Sequence, residues 1–145
     1  MSKLFEMFAT NNKAEIEGIE FRFGAMNDDG TEAIFKLARL GAANKRWKAL
    51  VQKESKPYMQ QINNDSLPDE VHEEIGMRVF CKTVLLGWRD LIMPEVFETA
   101  DRVEYSYDNA MKLIKALPEL YAILRKEAEK MSNFRDAVRE NDTKN

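Results

Sequence analysis

The chain has 145 residues, enough for one domain to bury a core without disulfide or metal staples. Its 44% hydrophobic, 32% charged and 10% aromatic residues exclude an intrinsically disordered chain. Twenty-two Lys and Arg against 25 Asp and Glu leave a net charge of −3, which excludes a general polycation and confines any grip on nucleic acid to a local patch.

The opening stretch Ser2-Lys3-Leu4-Phe5-Glu6-Met7-Phe8 is too short and too charged for a signal peptide. No run approaches the roughly 18 apolar residues of a membrane span, so an intracellular protein with no membrane partner is expected. Residues 1–13 are expected to be flexible. From Glu15 to Phe23 the chain reads as one strand, with Ile19, Phe21 and Phe23 at period two and a bulge at Gly18. Asn27-Asp28-Asp29-Gly30 is a turn, leading to a hairpin or a helix. As a calcium loop it fails, because the alternating ligands before the glycine and the glutamate at the twelfth position are both missing.

From Thr31 the period changes. Ile34, Leu37, Leu40, Trp47, Leu50 and Val51 recur at steps of three or four, or sums of these, and predict an amphipathic helix whose polar face carries Lys36, Arg39, Lys45, Lys48 and Lys53. Pro57 ends it, and Tyr58, Met59 and Ile62 are expected to fold back onto the core. Residues 63–70 form a loop into the clearest helix start of the chain. Pro68 suits the first turn, and Asp69, Glu70, Glu73 and Glu74 complement the helix dipole. The stretch from Met77 to Leu91, apolar on most sides, is expected to continue this helix through the centre of the fold, with Trp88 near its end. Residues 95–105 read as either an irregular connector or a short extended segment. Ser106 caps a helix bearing Ala110, Leu113, Ile114 and Leu117, and Pro118 opens another with Leu120, Ile123, Leu124, Ala128, Met131 and Phe134 on one side. The tail from Arg135, with residues 136–145, is expected to be flexible. The fold class is therefore mainly α with a minor β element near the N-terminus, in a single compact helical domain spanning 1–145.

Residues able to carry chemistry are scarce. His72, the single histidine, stands among Glu70, Glu73 and Glu74 on the first turn of a helix and reads as a solvated surface residue. Cys81, the single cysteine, sits in the apolar run Val79-Phe80-Cys81-Lys82-Thr83-Val84 and reads as a small hydrophobe suited to a reducing compartment. Neither has a partner at metal-ligand spacing. Phosphate-binding glycine loops and nucleophile elbows are missing as well. No catalytic, metal or cofactor site is therefore expected, and the chain is read as a non-enzyme that binds another protein. The basic cluster Lys45, Arg46, Lys48, Lys53 and Lys56, interleaved with Trp47 and Tyr58, is the one feature able to hold nucleic acid, but Trp47 falls on the apolar stripe. Eight methionines, among them Met7, Met59, Met77, Met93, Met111 and Met131, add adaptable apolar surface.

Several segments, taken in order, resemble the tail assembly chaperones of long-tailed bacteriophages and prophages. The first is Phe35-Lys36-Leu37-Ala38-Arg39-Leu40-Gly41-Ala42-Ala43-Asn44-Lys45-Arg46-Trp47, followed by Lys56-Pro57-Tyr58. The second is the apolar run from Val79 ending in Gly87-Trp88. The third comprises Tyr105-Ser106-Tyr107-Asp108-Asn109-Ala110, Leu117-Pro118-Glu119-Leu120 and Asn133-Phe134-Arg135. The resemblance covers the chain from about Phe21 onward. It departs after Trp88, where Leu91-Ile92-Met93-Pro94-Glu95 stands in place of a turn rich in Asp, Asn and Gly.

The resemblance implies a protein of the host cytoplasm, absent from the mature virion, that coats the tape measure protein, keeps it soluble and helps recruit the tail tube protein. It also implies a frameshifted longer form of the chain, for which Thr143-Lys144-Asn145 fits the slippery codons ACA AAA AAC. Trp88, Met93, Phe97 and Tyr105 are expected to form the protein-binding surface, and self-association is left open. Two alternatives are a minor structural tail protein retained in the virion and a small nucleic-acid-binding phage regulator.

Overall fold

A computed structural model describes residues 2–135. The polar tail expected to fray beyond Arg135, and the codon reading at Thr143-Lys144-Asn145, lie outside the described residues. Two short helices open the chain, α1 over Lys3–Phe8 and α2 over Asn12–Glu17, so the stretch expected to be flexible holds all of α1 and the start of α2. Asn11 caps α2, its side-chain oxygen accepting from the Lys13 and Ala14 amides. Strand β1 spans Ile19–Met26. The strand expected from Glu15 therefore begins later. Gly18 is not a bulge but the residue that ends α2, at φ +98°, where an added Cβ would lie only 3.0–3.3 Å from Lys36 and Leu37 of β2. The irregularity in register lies farther on, between Arg22 and Met26.

The largest correction concerns Thr31 to Val51. In place of one helix there are strand β2 over Glu32–Leu37, an irregular crossing segment, and helix α3 over Lys45–Ser55. β2 is the central strand of an antiparallel sheet ordered β1-β2-β3 and buries Ile34, Phe35 and Leu37 on its two faces. Burial on both sides erased the alternation that marks a half-exposed strand, and the remaining spacing imitated a helix. Beyond β2, Ala38, Arg39 and Leu40 donate their amides to three different partners, the carbonyls of Val84, Glu15 and Ala128. Those tertiary bonds satisfy the backbone without a helix.

Helix α3 is followed by a 3-10 turn over Lys56–Tyr58 and by α4 over Met59–Asn63. Here a further expectation fails. Of the three residues expected to fold back, Tyr58 is half-buried, while Met59 and Ile62, on α4 beyond Pro57, remain 46% and 36% exposed. Helix α5 spans Asp69–Thr83 and starts where Pro68 and the two acids placed it. It does not run on to Leu91: β3 takes Leu85–Arg89 and pairs Trp88 opposite Phe35. The minor β element is thus not confined to the N-terminal region, since its third strand comes from the middle of the chain. β-branched and aromatic neighbours with Gly87 favour strand over helix here, and apolarity on all sides had hidden the change of period.

A single turn, α6 over Pro94–Phe97, resolves the ambiguous connector; α7 spans Tyr107–Ala116 and α8 spans Pro118–Glu129. Ser106 caps α7 as expected, its hydroxyl accepting from the Asn109 amide at 3.0 Å. On α8 the buried face is Tyr121, Leu124 and Ala128, while Ile123 stays 45% exposed. The helix stops at Lys130, whose backbone is extended, and a new helical turn over 131–135 brings Phe134 to full burial beneath the Arg39 guanidinium. The core lies where the sheet, α5, α7 and α8 meet, around Leu37, Phe80, Val84, Leu85, Leu113, Ile114 and Leu124.

Candidate functional site

Trp88, Met93, Phe97 and Tyr105, which sequence reading expected to bind a partner, come together in space. Trp88 on β3 meets Tyr105 edge-on at 5.0 Å and Phe97 of α6 at 6.4 Å, and its indole N–H donates to the Val103 carbonyl at 2.8 Å. The Tyr105 hydroxyl lies 3.0 Å from the Cys81 carbonyl and 2.5 Å from that of Leu85. Burial pushes the Tyr105 phenol up to about 12, with the Cys81 sulfur adding to the rise. Each of the four residues is half-buried and packs against the core. The cluster fastens residues 93–105 over the sheet and offers only its outer edges to a partner.

A broader apolar surface opens between α3, α5 and α8. α3 packs against α5, yet none of its residues is fully buried. Its stripe of Trp47 and Val51 forms one wall of a groove of about 470 Å³. Ile75, Gly76 and Val79 of α5 form the floor, and Tyr121 of α8 the opposite wall. Leu40, Ile62 and Leu67 complete the apolar lining, while the exposed His72, Arg125 and Glu129 stand at the rim. Gly76 deepens the floor, since a Cβ there would lie 3.6 Å from the Tyr121 hydroxyl. Burial pushes the Tyr121 phenol up, opposed by the Arg125 guanidinium stacked 5.3 Å from its ring centre. The arrangement is a cleft between helices lined by apolar side chains with charges at the margin, as a helix-binding groove requires.

The remaining candidates separate. His72 is exposed. Cys81 is 1% exposed, and desolvation pushes its thiol up to about 12, so it is held protonated rather than poised as a nucleophile. The basic cluster divides: Arg46 and Lys53 flank a shallow depression with Lys82, whereas Trp47 lines the apolar groove. Among the described residues, no group of three or more His, Cys, Asp or Glu is placed to hold a metal ion. No helix among them is long and apolar enough to cross a membrane.

A chain built this way around an apolar groove falls, by comparison of its sequence, among phage and prophage proteins. The family model of the YdaY prophage protein matches residues 42–145, well over half the chain, and the chain belongs to that family. No curated protein and no solved structure matches it.

The matched stretch contains α3, α5 and α8 and hence nearly all of the groove. Sequence reading overlooked the groove as a site because its walls come from three separate helices, each of which reads as ordinary core. The one local signal was Gly76. A glycine in the middle of a helix costs roughly 0.5–1 kcal/mol relative to alanine, so its presence calls for a reason such as open space.

Proposed function

We propose that this prophage protein is a tail assembly chaperone that binds helical segments of the tape measure protein in the groove between α3, α5 and α8. It keeps that partner soluble and helps bring tail tube subunits to it, without catalysis. The observation that carries the reading is the groove itself, an apolar cleft of about 470 Å³ between helices. Membership of a prophage family and the ordered resemblance to tail assembly chaperones support it.

The physics suits such a partner. A long amphipathic helix presents anchors at i, i+3, i+4 and i+7, and each large apolar side chain it buries contributes about 1.5–3 kcal/mol. Two or three anchors per segment, less the cost of association, give weak and reversible binding. A chaperone that must leave before the tail is complete needs that property. The test is co-expression with the tape measure protein of the same prophage. A soluble complex on a sizing column is expected, whereas an insoluble partner and no complex would sink the reading.

A further inference from the structure

Exposed apolar side chains are unevenly distributed. Of the eleven large hydrophobics exposed among the described residues, seven lie between Leu4 and Met26, and four of these, Leu4, Phe5, Met7 and Phe8, belong to the six-residue helix α1. All four are 55–68% exposed, and α1 buries no residue. A helix this short is unstable alone, and α1 leaves its apolar side chains to solvent. Ser2 pre-orders it by accepting from the Phe5 amide at 3.2 Å.

We propose that α1 of one copy seats in the groove between α3, α5 and α8 of a second copy, and that two copies exchange these arms reciprocally. Leu4, Met7 and Phe8 have the i, i+3, i+4 spacing of a helix lying in an apolar groove. The charges also match. Lys3 and Glu6 flank the arm's apolar residues, and Glu129 and Arg125 stand on the α8 rim of the groove, so an arm running antiparallel to α8 sets each against its opposite. Among the described residues none of these four is in an ion pair within its own chain.

The arm does not occupy its own groove. None of its residues lines that cleft, and the Arg135 guanidinium ties the Met7 carbonyl to the turn at 131–135. Each of the four side chains holds on the order of 100 Å² of exposed surface. One arm with the groove lining it covers removes on the order of 500 Å², no more than a passing contact, whereas two reciprocal arms reach on the order of 1,000 Å², the lower bound of a specific interface. The inference rests on the arm and the groove alone; the tape measure segment proposed above would take the same groove, so arm and segment compete for it.

Light scattering on the full chain, at up to about 100 μM so that a micromolar dimer is saturated, tests it. The dimer is expected for the wild type. A monomer with an unchanged thermal melt is expected for the double substitution Leu4→Ser with Phe8→Ser, which touches only exposed residues. Gly76→Phe, which fills the groove, should also give a monomer; if its melt shows that it does not fold, Val51→Lys on the groove wall takes its place. A monomeric wild type overturns the proposal, as does a dimer that survives the arm substitutions. Loss of the dimer in the arm variant with its retention in the folded groove variant also overturns it, because the arm then docks elsewhere.

Discussion

The Asn44 side-chain amide donates to the carbonyl of Thr83, 39 residues away, at 2.9 Å, and makes a second bond of 3.0 Å to the Arg39 carbonyl. Its oxygen meanwhile accepts from the Trp47 amide at 3.2 Å and caps α3. One residue, 1% exposed, thus starts the helix that walls the groove and ties it to the end of the helix that floors it. Asn44→Ala removes a cap and leaves buried carbonyls unpaired, an expected loss of about 2–4 kcal/mol in urea unfolding. Asn44→Asp keeps the cap but sets a carboxylate against two carbonyls, so it should not rescue. A loss below about 1 kcal/mol for the alanine variant would mean the latch contributes little.

Gly76 separates the stability of the fold from the openness of the groove. Alanine fits at the site, because the nearest atom to an added Cβ, the Tyr121 hydroxyl, is at ordinary contact distance. Gly76→Ala should therefore raise stability by about 0.5–1 kcal/mol through helix propensity. Gly76→Phe should reduce capture of a tape measure segment at least tenfold while the chain stays folded. Undiminished capture by a folded Gly76→Phe variant would move the binding site off this groove.

Tyr105 has one hydroxyl proton and two carbonyls, those of Cys81 and Leu85, within reach. Tyr105→Phe should cost about 1–2 kcal/mol, measured by thermal unfolding, through loss of that bond at a half-buried site. Near-UV circular dichroism should fall with it, since Trp88 packs edge-on against this ring. An unaltered melting temperature would show that water replaces the bond at no cost.

Alkaline pH acts on the same region. Burial raises the Cys81 thiol to about 12, and the Tyr105 phenol also to about 12, against ordinary values near 8.5 and 10. Both are neutral when protonated, so their contributions are fully present at neutral pH and are lost as pH rises from about 9 through 12. Urea midpoints taken between pH 7 and pH 11 should fall steeply for the wild type and less for Cys81→Ala. Parallel curves for the two proteins would remove the thiol from the explanation.

Asp29 gives the acid counterpart at the surface. The Thr31 hydroxyl and amide, and then Arg102, hold its carboxyl down at about 2. The favoured state is the charged one, so its contribution is present above about 4 and disappears as pH falls through about 2. A carboxyl NMR titration should show Thr31→Val raising the midpoint more than Arg102→Ala does, because the Thr31 hydroxyl is the larger influence. The reverse order would assign the shift to the guanidinium.

Some of this fold was legible from residues with a local mechanism. Ser106 announced α7, Pro68 with Asp69 and Glu70 announced α5, and the Asn27-Asp28-Asp29-Gly30 turn led into the β1-β2 hairpin. The central sheet was not legible. β2 and β3 are decided by pairing across half the chain, with Phe35 opposite Trp88, and neither alternates: β2 buries Ile34, Phe35 and Leu37, while β3 is half-buried from Leu86 to Trp88. Trp88, Met93, Phe97 and Tyr105 stood out by their apolar character; their half-burial did not, because it depends on residues 93–105 folding over β3. The groove was hidden because a cleft is a property of three helices together.

The position of β2 also bears on where this protein can be cut. The stretch matched by the family begins at residue 42, after β1 and β2, while β3 lies inside it. A chain trimmed to that stretch would keep all three main groove helices but leave β3 as a solitary ribbon. It would also lose Phe35 and Leu37 from the centre of the core. Its unsatisfied backbone and uncovered Leu85 would make it sticky rather than soluble, so the smallest piece that behaves as this protein must reach back to at least Ile19.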